Sequence, residues 1–236
     1  MAYGVKLEVW GDLAAFNRPE MKVERVSYDI MTPSAARGIL EAIYWKPEMR
    51  WVIDEIHVLA PIRFTHVRRN EISSIIPVQG ATGVNQAMKT GMGRLGLDVQ
   101  SVRQQRAAMV LRDVRYGIAA QVEVLHAGNG PSPEAKHLEM FKRRATRGQY
   151  FHHPYLGIRE FPASFRLVEA FPAPPPELGG TVDLGYMLHD IEYQESSTGT
   201  VVDSNRGRRL EAVPRFFRAT LRDGVMTVPP LQEGRA

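Results

Sequence analysis

Residues 110–124 leave this chain few folding choices. Val110, Val114, Tyr116, Ile118, Ala120, Val122 and Val124 share one parity, while Asp113, Arg115, Gln121 and Glu123 take the other. Period-two alternation over that length fits a strand with one dry face and one wet face, whereas a helix would scatter the apolar residues around its circumference. Arg112 is the exception, standing on the apolar parity. A one-sided strand needs neighbours and a layer over its apolar face.

Other segments supply them. Val5, Leu7 and Val9 alternate with Lys6 and Glu8, predicting a first strand over 5–10. Residues 51–62 are rich in valine and isoleucine and predict a second, with Asp54-Glu55 interrupting the alternation as a bulge would. Residues 156–168 predict a fourth, placed at a sheet edge because Pro162 forfeits a ladder hydrogen bond. Thr32 followed by Pro33 gives a capping side chain and a proline at the first helical position. Ala35, Ile39, Leu40 and Ile43 then recur at helical spacing until Pro47, predicting a helix over about 33–45. Ser132-Pro133-Glu134 repeats the capping logic, Ala135, Leu138 and Phe141 share a face, and Gly148 supplies a stop. The order is β-α-β-β-α-β, an α+β class: the split βαβ or ferredoxin-like arrangement shared with RNA-recognition (RRM-like) folds.

Two additions exceed that minimum. Residues 68–106 form an insertion with five glycines and no aromatic residue, read as a mobile basic arm. Phe171-Pro172-Ala173-Pro174-Pro175-Pro176 is a stiff extended linker. Beyond it, 182–193, 212–221 and 225–228 read as strands, the last two joined by Asp223-Gly224, a hairpin signal. The expected division is a ferredoxin-like domain over 1–170 and a small antiparallel β domain over 177–236.

The chain has 236 residues and no cysteine, which excludes a disulfide, a thiolate metal site and a cysteine nucleophile. No apolar run approaches the ~20 residues of a membrane span, and Lys6, Glu8 and Asp12 interrupt the first apolar stretch. A cytoplasmic protein without a membrane partner is the expectation. Net charge is +4 but unevenly placed: nine basic residues against three acids over 63–115, and five against one over 136–147. Such local fields suit a polyanion, and equally a solvated arginine-rich surface.

Several motifs lead nowhere. Gly91-Met92-Gly93-Arg94-Leu95-Gly96 spells GxGxxG, but the polar run before it is no buried strand, so a dinucleotide site is disfavoured. There is no HExxH, and adjacent His152-His153 would face opposite ways if extended. Lys136-His137 differs because of its place in the fold. The two helices of a split βαβ unit lie antiparallel, so Tyr44 at the end of one approaches Lys136 and His137 at the start of the other. A helix N-terminus favours anions, Lys136 adds a full charge, and His137 titrates near neutrality.

Val9-Trp10-Gly11-Asp12, Ala42-Ile43-Tyr44-Trp45-Lys46-Pro47, Val52-Ile53-Asp54-Glu55, Leu111-Arg112-Asp113-Val114, Lys136-His137 and Leu156-Gly157-Ile158-Arg159-Glu160-Phe161 occur in this order. As an ordered set they resemble the "Cas five" family of CRISPR-associated RAMP proteins in its type I-C (Dvulg) form. The likeness spans 9 to about 165; the arm from about 73 to 105 has no counterpart in it. The resemblance implies a metal-independent endoribonuclease that cuts the repeat hairpin of the CRISPR transcript (pre-crRNA), with Tyr44, Lys136 and His137 as its catalytic residues. It also implies that the protein stays with the crRNA in an effector complex beside backbone and large subunits.

No cofactor or metal is expected, because RNA carries its own 2′-hydroxyl nucleophile. Lys136 is assigned to the non-bridging phosphate oxygens, His137 to protonating the departing 5′-oxygen, and Tyr44 to orienting or deprotonating the 2′-hydroxyl. Arg68, Arg69, Arg103, Arg106, Lys142, Arg143 and Arg144 are the candidate RNA contacts, with non-specific DNA binding a further possibility of the same charges. The alternatives are a subunit that caps crRNA without cutting it and, more distantly, a dinucleotide-dependent oxidoreductase.

Overall fold

The structure, a computed structural model, describes residues 4–21, 23–80, 83–91, 95–125, 133–202 and 208–234. In chain order the elements begin β1 (Gly4–Ala14), β2 (Arg25–Val26), α1 (Pro33–Ile43), β3 (Met49–Val58), β4 (Phe64–Ile72), α2 (Val84–Thr90) and α3 (Val99–Val102). There follow β5 (Arg103–Val124), α4 (Pro133–Thr146), β6 (Ser164–Leu167), β7 (Thr181–Glu195), β8 (Val201–Val202), β9 (Arg209–Arg222) and β10 (Val225–Thr227). The architecture is mixed α/β around one mostly antiparallel sheet, whose main path runs β6-β1-β5-β3-β10-β9-β7. Among the described residues no helix is long and apolar enough to cross a membrane.

The central alternating strand exists and is longer than its apolar part. Its C-terminal half pairs with β1 on one side and β3 on the other. There the apolar parity points down onto α4, which packs against β5, β6 and β1, while α1 packs on β3 and β7. Leu7, Val9, Ile39, Leu40, Ile43, Ile56, Ile118, Leu138 and Phe141 are buried in the core between. Arg112 falls out of pattern because the chain bends beside it: Asp113 sits at φ 53, in the left-handed region that aspartate tolerates better than most residues. The expected bulge at Asp54 is present as a register shift between Ile53 and Glu55.

Three expectations need correction. The insertion is not a structureless arm: β4 zips along residues 103–111 of β5, from Ile72 opposite Arg103 to Phe64 opposite Leu111, with α2 and α3 beyond. No residue of β4 is fully buried, and its half-buried parity is Thr65, Val67, Arg69 and Glu71, which is why its sequence lacks an apolar signal. The fourth strand is only Ser164–Leu167, at the sheet edge against β1 as Pro162 implied. Residues 156–163 instead turn back, with Leu156 N–H donating to Phe161 O and Gly157 at φ 86 against the carbonyl of Ala15. The first helix stops at Ile43, two residues early. Of the GxGxxG stretch, Met92, Gly93 and Arg94 lie outside the described residues, as does the capping residue Ser132.

C-terminal strands β7, β9 and β10 form as expected, and the 223–224 turn places both Asp223 (φ 48) and Gly224 (φ 76) in the left-handed region a tight hairpin requires. They join the same sheet through β10 on β3, and Met187, Phe217, Leu221 and Met226 join the same core. Residues 171–176 cross the sheet face opposite the helices. The Phe171 ring sits on Gly117, where a Cβ would lie 2.6 Å from Cδ1, and meets the His57 ring with centroids 4.5 Å apart.

Candidate active site

The end of α1 is held by tertiary partners. Its N-terminus is capped as expected, with Ala35 N–H donating to Thr32 Oγ1 at 3.3 Å and Pro33 at the first position. Its last turn carries no basic residue to offset the exposed carbonyls. Instead Ala42 O accepts from the N–H groups of Phe151 (2.8 Å) and His152 (3.1 Å), Ile43 O from Arg144 Nη1 (3.1 Å), and Tyr44 O from Trp51 Nε1 (2.9 Å). Three successive carbonyls are thereby occupied. Tyr44 turns out of the helix into an extended conformation (φ −156) while its N–H still donates to Leu40 O.

That pose delivers the Tyr44 hydroxyl to α4. Tyr44 Oη lies 2.9 Å from His137 Nδ1, and each residue is only 2% exposed. Arg144, two turns after His137 on the same face of α4, places its guanidinium over the Tyr44 ring at 5.3 Å. His137 Nε2 faces Glu48 Oε1 at 3.9 Å, too far for a hydrogen bond. Lys136, the third sequence candidate, is exposed beside this buried pair.

The electrostatics follow from that burial. Desolvation pushes the His137 pKa below the usual imidazole value; Lys136 and Lys46 push the same way, and Glu48 and Glu134 oppose. Burial, then the charge of Glu48, raises the Tyr44 phenol, against the pull of Arg144. At neutral pH the pair is therefore a neutral phenol and a neutral imidazole. The Glu48 carboxylate favours the proton on Nε2, so Nδ1 accepts from the Tyr44 O–H.

The remaining candidates separate. Arg144 faces inward, onto Ile43 O and Tyr44. Lys142 is 3.6 Å from Glu139, and Arg143 lies on the surface with Nη2 at 3.2 Å from Met140 Sδ. On the ribbon of β4 and β5, Arg69 pairs with Glu160 (3.2 Å) and Arg106 with Glu71 (3.4 Å). Arg68 and Arg103 are exposed, with no side-chain ion pair among the described residues. The ribbon thus carries its four arginines away from the helix ends. Sequence reasoning missed Glu48 and the clamping role of Arg144. The latter was open to inspection through its two-turn spacing from His137.

Comparison with known proteins fits this picture. The family model described as "CRISPR-associated protein (Cas_Cas5)" matches residues 4–229, and the chain belongs to that family. Within it, the chain is 48% identical over 235 residues to the CRISPR pre-crRNA endoribonuclease Cas5d of Mannheimia succiniciproducens, covering 98% of this chain and 96% of that one. It is 40% identical over 248 residues to the protein of the same name from Thermus thermophilus, covering 98% and 97%. A functionally uncharacterized protein from Streptococcus mutans shares the fold with a TM-score of 0.65 at 19% identity, over 99% of this chain and 95% of that one. A solved CRISPR-associated protein does so with a TM-score of 0.62 at 21% identity and the same coverage.

Proposed function

We propose that this chain is a pre-crRNA endoribonuclease of a type I-C CRISPR system, as its Cas5d relatives are named. The observation that carries the reading is the buried hydrogen bond between Tyr44 and His137, formed across 93 residues of sequence, with Lys136 at the same helix start. In this reading residues 1–170 are a ferredoxin-like RAMP domain with the ribbon inserted at about 68–106, and 177–236 a small β domain sharing its sheet. The substrate is the repeat hairpin, and the protein works in the cytoplasm and stays with the crRNA among the backbone and large subunits of an effector complex.

No metal or cofactor takes part in the proposed chemistry. The RNA 2′-oxygen attacks the adjacent phosphorus and passes its proton to the Tyr44 oxygen, while the Tyr44 proton moves to Nδ1 of His137. Burial, by keeping His137 neutral, makes it a proton acceptor at the outset, in place of the leaving-group acid expected from sequence. Lys136 stabilises charge growing on the non-bridging oxygens. The 5′-oxygen departs with a proton from water, and the hydroxide so formed takes up the proton held by His137, restoring the neutral pair and leaving a 2′,3′-cyclic phosphate and a 5′-hydroxyl.

Incubation of the protein with repeat RNA in EDTA tests this: cleavage with those product ends is expected. A 2′-deoxy sugar 5′ to the scissile phosphate should abolish cutting and leave binding intact; continued cleavage excludes the mechanism. One observation favours a second reading, a crRNA-holding subunit without activity. Tyr44 and His137 are so well buried that their bond also serves as a structural pin between the helices. Absence of cleavage with retained RNA binding would select it.

A further inference from the structure

The segment 148–153 has no part in the chemistry above, yet it is built onto the same helix end. Four rings follow one another in Tyr150, Phe151, His152 and His153, and all four residues are exposed, Phe151 at 75%. Trp45, next in sequence to Tyr44, is 50% exposed. Exposed aromatic side chains in such number normally mark a surface that something covers.

The segment is held in place by its backbone. Gly148 takes the left-handed conformation that ends α4 (φ 62), Gln149 N–H donates to Arg144 O at 2.9 Å, and Phe151 and His152 donate to Ala42 O, two residues before Tyr44. The Tyr150 ring leans on His153 (4.9 Å between centroids) and on Phe165 (6.5 Å). Phe151 and His152 pack edge to face at 4.4 Å. The backbone that carries these rings is thus tied to both helices, so a ligand would not have to order it first.

Charge identifies the occupant. No acidic residue occurs from Met140 to Arg159, while Arg143 and Arg147 are exposed there, and the exposed Lys46 adjoins Trp45. Exposed π faces with cations outnumbering the nearby carboxylates, Glu48 and Glu139, suit unpaired bases joined by phosphates; a protein partner would more naturally meet aliphatic groups and balanced charge. We propose that Trp45 and Phe151, with the rings beside Phe151, form a stacking platform for the unpaired nucleotides flanking the scissile phosphate. The proposal rests on the endoribonuclease reading of the Tyr44–His137 site and gives that site its single-stranded specificity.

The test uses the full chain and uncleavable RNA carrying the 2′-deoxy sugar, as a hairpin with its single-stranded flanks and as a trimmed hairpin. The doubly substituted protein Trp45→Leu plus Phe151→Leu keeps apolar bulk and loses the π faces, and circular dichroism checks that it is folded. It should bind the flanked RNA about ten-fold or more weakly and the trimmed hairpin unchanged, in line with ~1–3 kcal/mol per stacked base. Abasic flanks should weaken wild-type binding by a similar factor and add nothing to the substituted protein's loss. Unchanged affinity for flanked RNA, or equal losses on both RNAs, overturns the platform. If the folded protein binds flanked RNA by this pattern but never cleaves the normal substrate, the nuclease reading fails and the platform stands. If cleavage is normal and the substitutions leave binding unchanged, the platform alone fails.

Discussion

The helix-end site and the basic ribbon both carry positive charge, but they hold it in opposite ways. At the helix ends Arg144 is turned inward, its donor placed on Ile43 O and its face on Tyr44, and each residue of the Tyr44–His137 pair it covers keeps only 2% of its surface exposed. On the ribbon, Arg68 and Arg103 are exposed, on the strand segments 64–72 and 103–107 that hold no buried residue. The first arrangement shifts proton affinities, because few polar groups share one dry space. The second cannot, since water screens each exposed charge, but it offers a polyanion several nearly independent contacts. In the proposed reading one region therefore does the chemistry and the other holds on. Removing a single group should be severe in the first and mild in the second.

The largest effect should come from His137→Ala. Single-turnover cleavage should fall ~10²–10⁴-fold, the range for a positioned proton-transfer group, with RNA affinity nearly unchanged. Stability by urea unfolding should also drop, by about 1–3 kcal/mol, because the Tyr44 hydroxyl loses its partner in a buried setting. Equal losses of rate and affinity would move His137 to the binding side of the comparison. Next is Lys136→Ala, expected to cost ~10²–10³-fold in rate, comparable to loss of one transition-state donor. Since Lys136 is exposed, its unfolding midpoint should not move.

Acid provides a third and smaller effect. The His137 pKa is lowered by folding, so the unfolded chain takes up that proton more readily. The stability His137 contributes is complete above its unfolded value of ~6.5 and is lost as pH falls from there through the lowered folded value. Urea midpoints measured from pH 8 to pH 5 should fall for the wild type and fall less for His137→Gln. The cleavage rate should decline over the same acid range if neutral His137 is the acceptor. A rise instead would restore it as the acid. The mildest effect belongs to the ribbon: Arg68→Ala and Arg103→Ala should each weaken RNA binding a few-fold and flatten its salt dependence by ~0.7–0.9 in the log-log slope. Neither should change the single-turnover rate at saturating protein, and a large rate loss would show that the two regions are not separate.

The elements that sequence pattern located were those that bury one face. Strand β5 over its C-terminal half, β1 and the cap of α1 at Thr32 and Pro33 were all visible as periodicity or capping chemistry. Strand β4 was not, because β5 holds it through backbone pairing and little burial. The 156–163 turn was mistaken for strand because Leu156 is fully buried, an apolar signal that a turn closed on Ala15 produces as well. At the site, Tyr44 and His137 could be located because capping residues fix where helices begin and end. Arg144 reads from sequence as a candidate RNA contact beside Lys142 and Arg143, although helical spacing sets it above His137. Nothing in the order of residues indicated that Phe151 and His152 would return to Ala42, since that contact depends on how the loop folds back in space.

The missing side chain at position 117 has a wide reach. Because Phe171 lies where even a methyl group would intrude, the broad side of the sheet is roofed along its middle by the chain's own polypeptide. A sheet left bare there could act as a reading surface; this one is a foundation. In the proposed reading recognition falls to the margins of the molecule, the helix ends on one hand and the ribbon of β4 and β5 on the other, and a bulkier residue at 117 would lift the roof and expose a face the protein otherwise keeps closed.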